Sequence, residues 1–287
     1  MLAIFKKEVY SYYKSMIGYI FMAFFLVIIG IYFFVYNLTY ASANFEYTLQ
    51  ATSFAFIILI PILTMRVLAE EKRQKTDQLL LTSPLSIEKI VFGKYLAVLA
   101  VFLGTMLIVS LYPLILTRFG EVDLKLAYNG ILGFVLMGMT YLAVGVFISA
   151  LTESQMVAAI IGFIVMLVTY LMPGLASLLP QDHKTAVIIF SIVIVGIVLI
   201  AYRMMENPAL AALIGFAGEL ALILIYFKKA SLLDGAVSKF LNSFSMVNHF
   251  DNFTMGILDL SAVIYYVSVT FLFLFLTIQV IKKRRWS

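Results

Sequence analysis

Apolar runs of about 20 residues, the length that crosses a hydrocarbon core of about 30 Å as a helix, recur along the whole chain. Eight can be marked off: residues 17–36, 51–65, 95–116, 127–151, 156–178, 185–202, 209–227 and 261–281. The second is short and is expected to extend at its outer end through residues 47–50. In lipid, a backbone can satisfy its own hydrogen bonds as helices, and runs of this length are helical. Charged residues make up 12% of the chain, about half the share usual in a soluble domain, so these are not core helices of a globular protein. The expected fold is an all-α integral membrane protein, a single polytopic helical bundle of about eight spans.

The basic residues orient it. Residues 38–50 contain no Lys or Arg, residues 66–94 contain six, and the C-terminal "KKRRWS" contains four. With both termini cytoplasmic, the inner segments hold 14 of the 20 basic residues, as the positive-inside rule requires. Lys228 and Lys229 fall on the outer side in this arrangement and are expected to snorkel to headgroups. The net charge of +5 is thus a matter of loop placement, and no nucleic-acid partner is expected. The chain has no cysteine, which excludes disulfides and thiolate metal sites. Its N-terminus does not read as a cleavable signal, because the first apolar run begins only near Ile17 and is long enough to span.

Two segments are amphipathic without spanning. Residues 1–16 put Phe5, Val9, Tyr12 and Met16 on one stripe, with Lys6, Lys7 and Lys14 off it, the pattern of a helix lying in the inner interface. Residues 231–260 carry one stripe of Phe240, Phe244 and Val247 and another of Phe250, Phe253 and Ile257. Two short helices dipping into the outer leaflet would bury both; an ordinary surface loop is the alternative.

Between the second and third runs lies "AEEKRQKTDQLLLTSPLSIEKIVFGK", residues 69–94, where six of the eight residues from Glu70 to Asp77 are charged. Residues 69–81 lack Gly and Pro and are rich in helix formers, so a helix is expected there. Ser83 and Pro84 break it, and a second helix starts near Ser86 and runs through Gly93 and Lys94 into the third span. The charges are expected to face water or another protein, and Leu79–Leu81 give the segment an apolar end. Composition alone equally fits a solvated loop.

This segment resembles a motif of ABC type-2 exporter permeases, and among them of the gliding-motility-like permeases. Their loop between the second and third spans reads approximately M-R-x-x-A-E-E-K-x-x-G-T-x-E-L-L-L-T-x-P-V-S, against "MRVLAEEKRQKTDQLLLTSPLS" at 65–86. Similar too are "IGYIF" (17–21), "LTESQMVAAIIGF" (151–163), "HFDNFTMGILDL" with "YY" following (249–266) and the "RRW" near the end. The resemblance covers the chain except for about residues 180–230. It implies that residues 1–16 are a connecting helix and that the 66–94 loop carries a coupling helix, which docks on a separate cytoplasmic ATPase. Glu70, Glu71, Arg73, Thr76, Asp77, Leu79, Leu80 and Pro84 would make that contact. Glu153 and Gln155, in the tight turn between the fourth and fifth runs, fit either a second short cytoplasmic contact or an ordinary polar turn. It also implies a re-entrant hairpin in 231–260 and a six-span core to which 185–227 adds a helical hairpin. The setting is a bacterial cytoplasmic membrane, with a second permease copy or a homologous permease as partner. ATP and Mg belong to the ATPase; this chain binds no cofactor. Three departures stand out: Lys75 replaces the usual Gly, Met16 replaces a common Pro, and most of the family has only six spans.

The chemistry missing from the chain agrees with a non-catalytic subunit. There is no G-x-x-x-x-G-K-[ST], H-E-x-x-H or G-x-S-x-G, and the "GK" at 93–94 lacks the upstream glycine. His183 and His249 are far apart, and no metal site is expected. Glu219, near the middle of the seventh run, is an intramembrane carboxyl that costs about 3 kcal/mol to ionise unless it is paired or wet. It either touches a substrate or proton path or hydrogen-bonds a neighbouring span or subunit. The expected function is the membrane half of an ATP-driven exporter working as a dimer. The alternative is an ATPase-driven anchor that transmits motion to an outer-side accessory protein without transport. A self-sufficient secondary transporter would need more intramembrane charges than Glu219.

Overall fold

The computed structural model describes residues 1–76, 85–205 and 208–286. Its regular structure is all helical among these residues. The helices are α1 (Leu2–Lys14), α2 (Ile17–Phe33), α3 (Phe45–Thr52), α4 (Ala55–Thr64), α5 (Ala69–Arg73), α6 (Ile87–Val109) and α7 (Tyr112–Leu116). They continue as α8 (Leu124–Leu151), α9 (Gln155–Leu178), α10 (His183–Met205), α11 (Pro208–Lys229), α12 (Ala236–Ser243), α13 (Met246–Thr254) and α14 (Leu260–Trp286). Among the described residues five helical stretches are long and apolar enough to cross a membrane: Ile17–Thr39, Ile87–Leu116, Leu124–Leu151, Gln155–Leu178 and Leu260–Arg284. A sixth is the pair Phe45–Thr52 and Ala55–Arg73, bent by 59°. Residues 185–202 and 209–227, expected as two further spans, fall within α10 and α11, where His183–Leu199 is a shorter apolar helix.

The second run was expected to be one helix from about residue 47 to 65, and the bend corrects this. Its cause is local. Thr52 Oγ1 donates to the carbonyls of Thr48 (2.8 Å) and Leu49 (3.1 Å), and Ser53 Oγ donates to that of Gln50 (2.7 Å). These hydroxyls compete with the backbone ladder, which is how Ser and Thr bend apolar helices.

The chain divides into two compact units, residues 1–170 with 246–287, and residues 171–245. In the first, α8 is central: 72% of its most apolar window is buried inside the protein, against 17–44% for the other candidate spans. Phe25 (α2), Phe56 (α4), Phe102 (α6), Phe134 (α8) and Phe250 (α13) are all fully buried and touch ring to ring, Phe56 and Phe134 at 4.5 Å between centroids. Such pairs add about 0.5–1.5 kcal/mol each beyond area burial. Glycines on α8 admit the neighbours. A Cβ on Gly133 would lie 2.5 Å from the Phe253 ring, and one on Gly138 or Gly145 would collide with Phe102 or Thr64.

Helix α13 belongs to this core. Tyr266 Oη donates to the Met246 carbonyl (2.6 Å), Asn129 Nδ2 to that of Phe253 (3.0 Å), and Gln50 Nε2 to Asp251 (2.9 Å). Phe250 and Phe253 are therefore buried by protein, whereas Ile257 is exposed, which corrects the expectation that the outer leaflet covers this stripe. Burial holds the Asp251 carboxyl above its usual range, opposed in part by Gln50.

In the second unit α10 and α11 pack antiparallel: Gly218 meets Ile194, and Gly215 closes on Val198. Glu219 is half-buried and accepts a 3.0 Å hydrogen bond from Ser191 of α10. A small cluster of Ala186, Leu233 and Val237 seats α12 on the first turns of α10.

Candidate functional site: a buried ion cluster beneath the charged segment

The charged segment starts as α5 and is short. The helix expected over 69–81 closes at Arg73, and Gln74–Thr76 form a turn; residues 77–84, and with them Asp77, Leu79, Leu80 and Pro84, lie outside the described residues. Lys75 adopts φ +57°, the left-handed conformation that glycine takes without strain. The sequence places a lysine where the resembling motif has Gly, and the backbone still takes the glycine shape. Lys75→Gly is expected to stabilise the protein by about 0.5–1 kcal/mol, the left-handed penalty less the added chain entropy. A rise in the detergent-solubilised melting temperature would show it.

Why α5 begins at Ala69 is visible on α8. The Leu68 and Ala69 amides both donate to Ser149 Oγ at 3.1 Å, and Ser149 donates in turn to the Met65 carbonyl at 3.0 Å. Ser149, fully buried, is thus a long-range cap for a helix 80 positions earlier, satisfying amides that a helix start leaves open. Lys72 bonds the Ala150 carbonyl and is 8% exposed. Ser149→Ala would strand two buried amides and a carbonyl; the expected cost is about 2 kcal/mol, measured by thermal melting.

Lys94, eight residues past Ser86 on α6, is 2% exposed. Its ammonium meets Glu71 Oε1 at 2.8 Å, Glu8 Oε1 at 2.9 Å and the Val67 carbonyl at 3.1 Å. Lys7, mostly exposed, lies 3.9 Å from both carboxylates. One cation thus joins α1, the 66–76 segment and the third span. Gly93 beside it allows α1 to lie flat on α6: a Cβ there would come within 3.1 Å of Ile4 and 3.2 Å of the Met1 carbonyl. Above the cluster, Tyr12 donates to the Leu63 carbonyl (3.2 Å), and the Arg66 guanidinium stacks 4.5 Å from its ring centre. Together these groups line a polar cavity of about 350 Å³.

Two expectations change here. The buried residues of α1 are Ile4 and Tyr12, whereas Phe5, Glu8 and Val9 are half-buried and Met16 is exposed. The charges of 70–76 do not all face outward, because Glu71 is bound to Lys94 and Lys72 is buried. Glu70 and Thr76 are half-buried, while Arg73, Gln74 and Lys75 form the exposed edge. Glu153 pairs with Arg284 at 3.0 Å, and Gln155 opens α9, half-buried. Lys282 pairs with Glu88 at 2.7 Å. The start of α1, residues 66–76, the start of α6, the 149–155 turn and the end of α14 therefore meet at one end of the first unit.

Glu219 is elsewhere, in the second unit. Among the described residues of the first unit the most buried carboxyl-bearing one is Glu46, 2% exposed, which sequence reading passed over because it begins a short polar stretch. Lys94, Glu8 and Ser149 were also missed as a site. The available signals were a lone cation inside "IVFGKYLAVL", which demands a partner, and the i, i+4, i+8 series Ile4–Glu8–Tyr12.

A family model described as "ABC-2 family transporter protein" matches residues 37–278, from the end of the first span to the last turns of α14. No curated protein and no solved structure matches the chain. The match takes in the segment 66–94, with Glu71 and Lys94 of the cluster, and the candidate spans except most of the first and the last turns of Leu260–Arg284. The chain belongs to the ABC-2 family of transporter proteins, as a multi-pass membrane subunit of the non-catalytic permease type.

Proposed function

We propose that this permease works with a separate cytoplasmic ATPase that docks on residues 69–84, in an exporter of the gliding-motility-like kind. The observation that carries the reading is the two-sided character of α5. Its inner edge (Val67, Leu68, Ala69, Lys72) is buried and capped by α8, while Arg73, Gln74 and Lys75 face away from the protein and lead into the "QLLLTSP" stretch. An element pinned on one side and open on the other suits a rigid docking post. Glu71 belongs to its anchoring side, and Glu70, Arg73 and Thr76, with Asp77, Leu79, Leu80 and Pro84, to its docking side.

In this reading residues 1–16 are the connecting helix, 66–94 the coupling loop, 185–227 an added hairpin and 231–260 the outer-side segment. Both termini are cytoplasmic in a bacterial cell membrane, and Glu153 and Gln155 provide a second contact beside Arg284. A second copy or a homologous permease completes the path, and ATP with Mg binds to the ATPase alone. Closure of the ATPases on nucleotide would draw the coupling segments together and rock the spans, opening the path outward.

The test is co-purification in detergent with the candidate ATPase, comparing wild type with an Arg73→Glu/Leu80→Asp variant. Loss of two centrally placed contacts is expected to weaken binding at least about tenfold. Equal binding by the variant, or no binding by wild type, removes the docking assignment. If docking holds but reconstituted vesicles with a dry dimer axis move no cargo, the chain is instead an anchor that drives an outer-side accessory protein.

A further inference from the structure

We propose that Lys94 is the positioning residue through which motion of the coupling segment reaches the third span and α1 together. The proposal rests on the reading of residues 69–84 as the ATPase-docking element and adds how its displacement is passed on.

A lysine ammonium has three N–H donors, and Lys94 meets three acceptors, one carboxylate on α1, one on α5 and the Val67 carbonyl just before α5. None of these acceptors lies on its own helix. The cation is 2% exposed and its three donors are taken up by these three acceptors, so drawing one away leaves a buried ammonium short of a partner. Drawing α5 away from α6 would leave Lys94 short of Glu71 and of Val67 at once, and drawing α1 away would strand Glu8. The least costly motion keeps all three elements together. Gly93 reinforces this by holding α1 at backbone contact with α6.

The limits of such a body are marked in the backbone. Only three non-glycine residues among those described have positive φ, and two of them are Met16 (φ +59°) and Lys75 (φ +57°). Met16 ends α1 where the chain turns into the first span, and Lys75 ends the pinned part of the coupling segment. A left-handed residue thus stands just beyond the cluster on each side. Inside those limits, α1, residues 66–74 and the first turns of α6 share Lys94.

The experiment is hydrogen–deuterium exchange on the complex with its ATPase, comparing the nucleotide-free state with the state trapped by a non-hydrolysable ATP analogue. In wild type, exchange is expected to change in residues 66–76, 2–14 and 87–96. In Glu8→Gln/Glu71→Gln/Lys94→Met, where no buried charge is stranded, ATPase binding persists. Its nucleotide-dependent difference in 2–14 and 87–96 is expected to fall about fivefold or more, the size of a typical coupling between sites. Because the chain has no cysteine, Glu71→Cys/Lys94→Cys with Glu8→Gln can be joined by a short bis-methanethiosulfonate. This link is expected to restore the difference in 87–96, which a merely stabilising role would not predict. Lys94→Arg, which keeps the cation, serves as the folded reference and should retain the difference. The proposal fails if the triple variant passes the change on like wild type, or if the link restores nothing; the docking reading would survive both. If nucleotide-bound ATPase alters exchange at 66–76 in no variant, wild type included, docking and transmission fail together.

Discussion

Lys94→Met is expected to cost about 3–5 kcal/mol of folding stability, because it leaves two mostly buried carboxylates without their nearest cation. Glu71 and Glu8 sit 2.8 and 2.9 Å from the ammonium, and their side chains are 14% exposed. Lys7, 67% exposed and 3.9 Å from both carboxylates, is the weaker, solvated partner of the pair of cations. The companion expectation is that Glu8→Gln/Glu71→Gln/Lys94→Met recovers most of the loss, since removing every member of a buried ion cluster is often close to neutral. Thermal melting of the three proteins in one detergent checks both statements. A single variant as stable as wild type would mean that the cluster is wet and its charges are screened.

Gly145→Val on α8 should destabilise by about 3 kcal/mol, the upper end for an over-packed core. A Cβ at this position would occupy the place of the Thr64 side chain, which is 1% exposed and cannot swing into solvent. Thr64 is further held by its own bond to the Ile60 carbonyl at 2.8 Å, so α4 must shift as a whole. Ser149 lies one turn beyond Gly145 on the same face of α8. The shift therefore also pulls Leu68 and Ala69 off their cap, and the variant is expected to weaken ATPase docking as well as lower the melting temperature. Gly145→Ala tests the same contact with a smaller intrusion and should lose less on both readouts.

Several features were legible in the residues alone. Long apolar runs in a chain with few charges dictate a helical membrane protein, because lipid offers the backbone no other partner. The run "AEEKRQKTDQLLLTSP" marked a charged segment between two apolar runs. Those signals are local: they depend on the length, periodicity and chemistry of neighbouring residues.

What only the tertiary structure decided was the pairing. Lys94 could be recognised as a cation needing a partner, but Glu8 and Glu71 are 86 and 23 positions away and lie in segments that look solvated by themselves. The cap of α5 comes from Ser149, and the bend at Thr52 and Ser53 shows only when the hydroxyls are seen turned back on the ladder. Phe250 and Phe253 have the spacing of an interfacial stripe, yet α8 offers a glycine at 133 into which Phe253 fits, so protein rather than lipid covers them. A periodic apolar face demands burial without naming what buries it, and a charge demands neutralisation without naming its partner; in a chain rich in helices of similar polarity, that choice is made by which helices pack together.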